Sequence, residues 1–160
     1  MVTLAEIRTA MTMAGAEPVE YGAIANLNLY KSDACEGLVT QMAAGRQLQV
    51  TAIPSEAGLA AIQVCLCEDD YPGWLAITDL AQLVVAATPY QAPSVGTEDI
   101  QQRIPQVIAF TEAAMATPNE YLWGGTVAPN YDCSGLMQAA FGSVGDRKST
   151  RLNSSHRCIS

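Results

Sequence analysis

Alternating apolar and polar residues run through the region from about residue 21 to residue 83 and predict short β-strands. The segments "AIANLNLY", "GRQLQVTAI" and "AIQVCLCEDD" show the alternation, and "YPGWLAI" leads into a last strand. The apolar residues expected to share a face are Ala25, Leu27 and Leu29, then Leu48, Val50 and Ala52, then Ile62, Val64 and Leu66. Four or five short strands within about 60 residues predict a small closed barrel, because closure removes exposed strand edges.

Segments that predict helices lie on both sides of this region. A short helix is predicted from Thr3 to Met13, within a lead-in of residues 1–20. Residues 87–99 are rich in Pro, Gly, Ser and Thr, as is typical of a linker. The apolar positions that follow at helical spacing are Ile100, Ile104, Val107, Ile108, Thr111, Ala114 and Met115. Pro105 is expected to begin a second helical segment, because its ring fits only the first turn of a helix.

A third helix is predicted within the segment "NYDCSGLMQAAF". Asp132 fits its N-cap, and Cys133 would then lie in the first turn. The unpaired N–H groups and the positive dipole end of such a turn favour a thiolate and could stabilise an oxyanion. From D-C-S-G alone, however, a core or incidental thiol is the more common role.

Composition and charge narrow the classes of function. The chain has 160 residues, 49% of them apolar, and a net charge of −8 from 16 acidic and 8 basic residues. Such a surface repels phosphate backbones, so no nucleic-acid partner is expected. The N-terminus does not resemble a signal peptide, and no run of about 18 apolar residues suggests a membrane span. We therefore expect a cytoplasmic protein.

The five cysteines do not predict a metal site. An odd count without a signal peptide favours free thiols in a reducing compartment. Cys65 and Cys67 are expected to be buried strand residues. A zinc site needs more ligands at finger-like spacing, and His156 is the sole histidine.

Residues 146–160, "DRKSTRLNSSHRCIS", differ in composition from the rest of the chain and hold half of its 8 basic residues. "DRKSTRLNSSH" resembles the translation of a common short-read sequencing adapter. We therefore expect a non-native tail, with the natural protein continuing beyond residue 145. The alternative is a genuine basic tail, and sequencing the gene from independent DNA decides between the two.

The segment "YLWGGTVAPNYDCSGLMQAAF" resembles the NlpC/P60 family of cysteine peptidases, in which Y-x-W/Y-G-G precedes the nucleophile motif D-C-S-G. The matching residues are Tyr121, Trp123, Gly124, Gly125, Asp132, Cys133, Ser134 and Gly135. Farther upstream, "ANLNLY" and "CLCEDDYPGWL" are similar to the bacterial SH3 domain of cyanobacterial-type γ-D-glutamyl-L-diamino acid endopeptidases. The resemblance covers about residues 20–145.

This resemblance implies an α+β protein with an N-terminal SH3-like β-barrel, a linker helix and the helical N-terminal part of a papain-like NlpC/P60 domain that lacks its sheet. The implied boundaries are a lead-in at 1–20, an SH3-like domain at 21–86, a linker at 87–99, a partial catalytic domain at 100–145 and the tail at 146–160.

The resemblance also implies residue roles. Cys133 matches the nucleophile, and Asp132 and Ser134 match residues that hold the free amino end of the substrate. Tyr121 matches a tyrosine that lines the active site, and Tyr71 matches one that closes over the substrate. The implied substrate is a free murein tripeptide or tetrapeptide with an N-terminal L-Ala, cleaved after D-Glu without metal or cofactor.

Other interpretations stay open from the residues alone. Tyr121 and Trp123 could be core aromatics, the paired glycines could serve only a turn, and "EDDYPG" could be an ordinary acidic turn. At the level of function, the alternatives are a non-catalytic murein-binding module and an acyltransferase that uses Cys133.

The general base is missing from the expected catalytic group. In the family, a histidine and its polar partner follow the nucleophile helix on a sheet. His156 lies in the adapter-like tail, only 23 residues after Cys133, and is rejected as catalytic. The chain as given is therefore expected to be nearly inactive. We also expect exposed apolar residues on the third helix and early proteolytic loss of the region after about Pro118.

Overall fold

The structure is a computed structural model that describes residues 1–13, 18–55, 58–93 and 95–145. Within these ranges, the N-terminal half forms a seven-stranded antiparallel sheet. Its strands are β1 (Glu20–Ala23), β2 (Leu27–Tyr30), β3 (Leu38–Met42), β4 (Gln47–Ala52), β5 (Ala61–Leu66), β6 (Pro72–Ala76) and β7 (Leu83–Val85), with a 3-10 helix (Ile77–Gln82) before β7. Their order in the sheet is β3-β2-β6-β5-β4-β1-β7.

The predicted alternation corresponds to burial in β2, whereas β5 is buried on both faces, with Ala61 and Cys65 buried as well. Leu27 and Leu29 of β2 are buried, as are Ile62, Val64 and Leu66 of β5. Strands β1, β3 and β7 were not predicted, because with four, five and three residues they are too short for alternation to be distinctive.

Backbone pairing does not close the sheet. Among the described residues no ladder joins β3 to β7, which remain its two ends. The predicted closed barrel is therefore not formed by strand pairing. Residues 124–127 lie along the outer edge of β3 instead. Gly124 lies against the backbone of Val39, and Thr126 forms hydrogen bonds with Gln41.

The lead-in and the linker both pack against the sheet. The predicted N-terminal helix is confirmed as α1 (Leu4–Thr12), which begins with a capping box between Thr3 and Glu6. Ile7 of α1 is fully buried in the sheet's core. In the linker, the N–H of Tyr90 donates to Oε2 of Glu20 at 2.6 Å.

The second helix, α2 (Thr97–Ala116), is one continuous helix. The expected break at Pro105 is wrong, since the proline lies inside α2 with its side chain exposed. Of the apolar positions predicted to form one face, only Val107 is buried, whereas Ile108 is 51% and Met115 is 78% exposed.

A short hairpin connects α2 to the third helix. It consists of β8 (Thr126–Val127) and β9 (Asn130–Tyr131), with a cis peptide bond between Ala128 and Pro129. Helix α3 (Cys133–Ser143) follows and packs against α2 and β8.

The thiols differ from the expectation in two respects. Cys67 lies after the end of β5 and is half-buried, so it is not a buried strand residue. Cys35, Cys67 and Cys133 are free, but the buried Cys65 is disulfide-bonded, so the expectation of free thiols was wrong at that position. In the described part of the chain, no helix is long and apolar enough to cross a membrane, and no group of metal-binding side chains occurs. The predicted non-native tail, with His156, lies outside the described residues.

Candidate active site

The carboxylate of Asp132 organises the turn that carries Cys133. Its Oδ1 accepts hydrogen bonds from the N–H of Gly135 at 2.6 Å and from Oγ of Ser134 at 2.8 Å. Its Oδ2 accepts from the N–H of Gly124 at 2.9 Å. The predicted N-cap is thus confirmed, and the same side chain ties the Gly-Gly segment to the start of α3. The N–H groups of Cys133 and Ser134 remain at the open end of the helix.

Two glycines, Gly124 and Gly135, are required by close approaches around this turn. Gly124 has a φ of +75°, and a Cβ there would lie 2.8 Å from the carbonyl carbon of Val39. A Cβ on Gly135 would lie 1.9 Å from the carbonyl oxygen of Gly125. These glycines therefore allow the turn that carries Cys133, the Gly-Gly segment (Gly124 and Gly125) and strand β3 to pack directly on one another.

Cys133 opens into a groove between α2 and α3. The groove has a volume of about 220 Å³ and is lined by Ala114, Met115, Asn119, Tyr121, Tyr131, Asp132, Cys133 and Leu136. The thiol is exposed, so the core-thiol interpretation is excluded. Tyr121 and Trp123 are 66% and 73% exposed, so neither is a core aromatic. Trp123 does not line the groove.

Tyr71 approaches the site from the sheet. It is half-buried, and burial raises the pKa of its phenol, with further contributions from the negative charges of Asp69 and Asp132. The influence of Asp132 places Tyr71 within electrostatic reach of the nucleophile turn. Tyr71 is not among the residues that line the groove of Cys133.

The acidic turn before Tyr71 contains a buried ion-pair cluster. Nε of Arg46 lies 2.8 Å from Oε2 of Glu68, and its NH2 lies 3.9 Å from Oδ1 of Asp69. Burial raises the pKa of Asp69, while the charge of Arg46 acts in the opposite direction. The turn therefore holds buried ion pairs, which its sequence did not suggest.

Sequence reasoning missed two residues at this site. Tyr131 lines the groove, and its ring meets that of Phe110 edge-on, with centroids 6.5 Å apart. Its position directly before D-C-S-G was an available signal. Gln41 bonds to the hairpin before α3, and no local pattern marks it.

The arrangement offers an exposed thiol beside the backbone donors of a helix start. The described residues contain no histidine. A thiolate at Cys133 could attack a carbonyl carbon in the groove, with the open N–H groups of the helix start available to the oxyanion.

Two protein-family models match parts of the chain. Residues 118–157 match the model of the NlpC/P60 family. That family consists of cysteine peptidases and hydrolases. The NlpC/P60 match includes Cys133 and its whole turn, and it extends into the tail that we predict to be non-native. Residues 29–80 match the model described as a bacterial dipeptidyl-peptidase Sh3 domain.

No curated protein sequence matches the chain. Among solved structures, NlpC1 from Trichomonas vaginalis is 18% identical, with a TM-score of 0.32 over 81% of this chain and 40% of that one. NlpC2 from the same organism is 17% identical, with a TM-score of 0.31 over 81% of this chain and 42% of that one. The chain thus spans less than half the length of either protein.

Proposed function

We propose that the protein is a cysteine peptidase that hydrolyses the γ-D-glutamyl–diamino acid bond of free murein peptides. The observation that carries the proposal is an exposed Cys133 in the first turn of α3, opening into a groove of about 220 Å³ inside an NlpC/P60 match. Recycling of released cell-wall peptides in the cytoplasm is the proposed role.

The proposed chemistry runs through a thioester. The Sγ of Cys133 attacks the γ-carbonyl carbon of D-Glu, and the amine of the diamino acid leaves with a proton from the general base. Water then attacks the thioester, which releases the D-Glu carboxylate and returns the thiol. The base belongs to the continuation that we expect after α3, because the described residues supply none.

Recognition of the substrate's amino end is assigned to Asp132 and Ser134. A carboxylate has about four acceptor positions, of which Asp132 uses three for the turn, so one remains for an ammonium group. Tyr71, on the sheet side of Asp132, would cap the bound peptide. A cap at this end would exclude stem peptides that are still attached to glycan.

The binding test compares two ligands on the unchanged chain. L-Ala-γ-D-Glu-diamino acid tripeptide and its N-acetylated form are titrated by calorimetry. N-acetylation is the matched control, because it removes the positive charge and blocks the capped end of the peptide while it leaves the protein, with the capping role of Asp132, unchanged. We expect at least about tenfold weaker binding of the acetylated peptide, the loss of one charge-assisted contact. Equal affinities would contradict the assignment of Asp132.

The activity test uses the natural continuation of the chain, recovered from independent DNA. We expect the extended protein to release the diamino acid, detected by mass spectrometry, and Cys133→Ala to abolish release. The 160-residue chain should bind the tripeptide without cleaving it. Binding without cleavage by the extended protein would favour the alternative, a non-catalytic binding module. Transfer of D-Glu to an added amine would favour the acyltransferase.

A further inference from the structure

The edge strand β3 and the hairpin before α3 are joined through one side chain, that of Gln41. Its Oε1 accepts hydrogen bonds from the backbone N–H of Thr126 at 3.1 Å and of Val127 at 3.2 Å. Its backbone oxygen accepts a third from Oγ1 of Thr126 at 2.8 Å. One residue of the sheet therefore satisfies two backbone donors of β8.

Gln41 itself is held by the sheet. Its Nε2 donates to Oδ1 of Asn28 at 3.0 Å, and Asn28 is the residue opposite it in β2. Its backbone oxygen also accepts from NH1 of the buried Arg46 at 3.1 Å. Because the Oε1 end accepts from two backbone N–H groups, which can only donate, the orientation of the Gln41 amide is determined.

The hairpin leads without interruption to the nucleophile. Gly125, directly before β8, accepts a hydrogen bond on its backbone oxygen from the N–H of Asp132 at 3.0 Å. Gly135, in the first turn of α3, packs against the same oxygen. A displacement of β8 would therefore move Asp132 and, with it, Cys133.

We propose that Gln41 is a positioning residue for Cys133, so that the sheet is a structural part of the active site rather than a tethered module. An effect of Gln41 on catalysis rests on the function proposed above. The coupling itself is measurable without turnover, through the backbone of the nucleophile turn and the reactivity of the thiol.

The test replaces Gln41 with Ala and compares amide hydrogen exchange and ¹H–¹⁵N spectra with the wild-type chain. We expect the amides of Thr126 and Val127 to exchange about tenfold faster, because each loses its acceptor. The amide signals of Gly124 and Gly135, which do not bond to Gln41, should shift as well. The rate of Cys133 alkylation by iodoacetamide should change in the same variant.

Gln47→Ala is the matched control. Gln47 also uses Nε2 for one bond between segments, to the backbone oxygen of Thr88 at 3.1 Å, but it does not contact the hairpin. Its loss should leave the nucleophile turn and the Cys133 alkylation rate unchanged.

Two substitutions at position 41 separate positioning from simple packing. Gln41→Glu keeps an acceptor for both N–H groups, and the Asn28 amide can turn its NH₂ towards the new carboxylate, so protection of β8 should return. Gln41→Asn is one methylene shorter and should not restore it. If Gln41→Ala does not fold, Thr126→Val removes only the bond to the Gln41 backbone oxygen and should show the same spectral changes in weaker form.

The proposal is overturned if Gln41→Ala, or Thr126→Val in its place, behaves like Gln47→Ala at Gly124, Gly135 and Cys133. It is also overturned if Gln41→Asn restores the turn as well as Gln41→Glu does. Failure of the wild-type chain to bind the tripeptide, with these couplings intact, would remove the proposed function and leave the positioning role.

Discussion

At the scale of single residues, the site depends on glycines that let backbones touch. Gly135 and Gly142 both lie in α3, but a Cβ on Gly135 would overlap the carbonyl oxygen of Gly125, while a Cβ on Gly142 meets nothing within 4 Å. The two positions therefore form a natural pair for testing whether close packing, rather than helix propensity, sets the nucleophile turn.

We expect Gly135→Ala to destabilise the region of α3 and to change the alkylation rate of Cys133, because α3 must move away from Gly125. Gly142→Ala should stabilise the protein by up to about 1 kcal/mol, since alanine is the better helix residue. Urea unfolding and timed labelling with iodoacetamide measure the two effects. Similar free energies of unfolding for both variants would show that the contact at Gly135 relaxes at no cost.

The three thiols that are free within the described residues differ in environment, which predicts an order of reactivity. Burial, together with the charge and hydrogen bond of Glu20, raises the pKa of Cys67 to about 12. Burial, together with Asp79 and Asp33, raises the pKa of Cys35. Because only the thiolate reacts, Cys67 stays unreactive at pH 8 and gains reactivity only as the pH rises towards 12.

At pH 8 we therefore expect iodoacetamide to label the exposed Cys133 first and Cys67 last in the folded chain. Peptide mapping by mass spectrometry after short pulses measures the order. Cys133→Ser is the control that should remove the earliest label. Labelling of Cys67 at the rate of Cys133 would show that its surroundings open readily.

At the scale of elements, helix starts were readable from the sequence, but helix continuity was not. The N-cap of α3 was predicted, and the start of α1 was placed within one residue, because a helix start depends on residues within one turn. The break at Pro105 was not found, since a proline in a helix costs the loss of one hydrogen bond and a local clash that the rest of a 20-residue helix can outweigh.

Pro105→Ala should accordingly stabilise α2. The substitution restores a backbone donor and removes the ring clash, which together are worth up to about 3 kcal/mol in a helix interior. Gln106→Ala, at the exposed neighbouring position, should change stability little. Thermal and urea unfolding compare the two variants, and equal stability of Pro105→Ala and the wild type would mean that α2 is already adjusted to its proline.

At the scale of the whole molecule, contacts among the described residues join the region of Cys133 to the sheet. They include the hydrogen bonds of Gln41 to β8 and the packing of Gly124 on Val39. Between α2 and the hairpin, by contrast, residues 116–121 are all exposed. This segment is the natural place for a first cut.

We expect limited proteolysis with proteinase K to cut within residues 116–121 and to release the region after about Pro118 before the sheet is attacked. Gly124→Ala should accelerate this release, because its Cβ would lie 2.8 Å from the Val39 carbonyl carbon. Gly142→Ala should not accelerate it. A chain that resists as one unit up to Gly145 would contradict the expectation.

The sequence by itself determined the features that depend on neighbours along the chain. The alternation of β2, β4 and β5, the Asp132 cap and the placement of Cys133 at a helix start all follow from spacing over a few residues. Local patterns encode such features because hydrogen bonds and side-chain direction within one turn or one strand repeat with a fixed period.

Only the tertiary structure decided how the two halves meet. Gln41 and Thr126 are 85 residues apart in the sequence, and Tyr71 and Asp132 come from different elements. Neither pairing has a periodic signal in the sequence. The contact of Gln41 with Thr126 arises where β3 packs against a Gly-Gly segment, whose lack of side chains lets the two backbones approach closely. The placement of Cys133 was therefore visible in the sequence, whereas the side chains that hold and surround it came from packing.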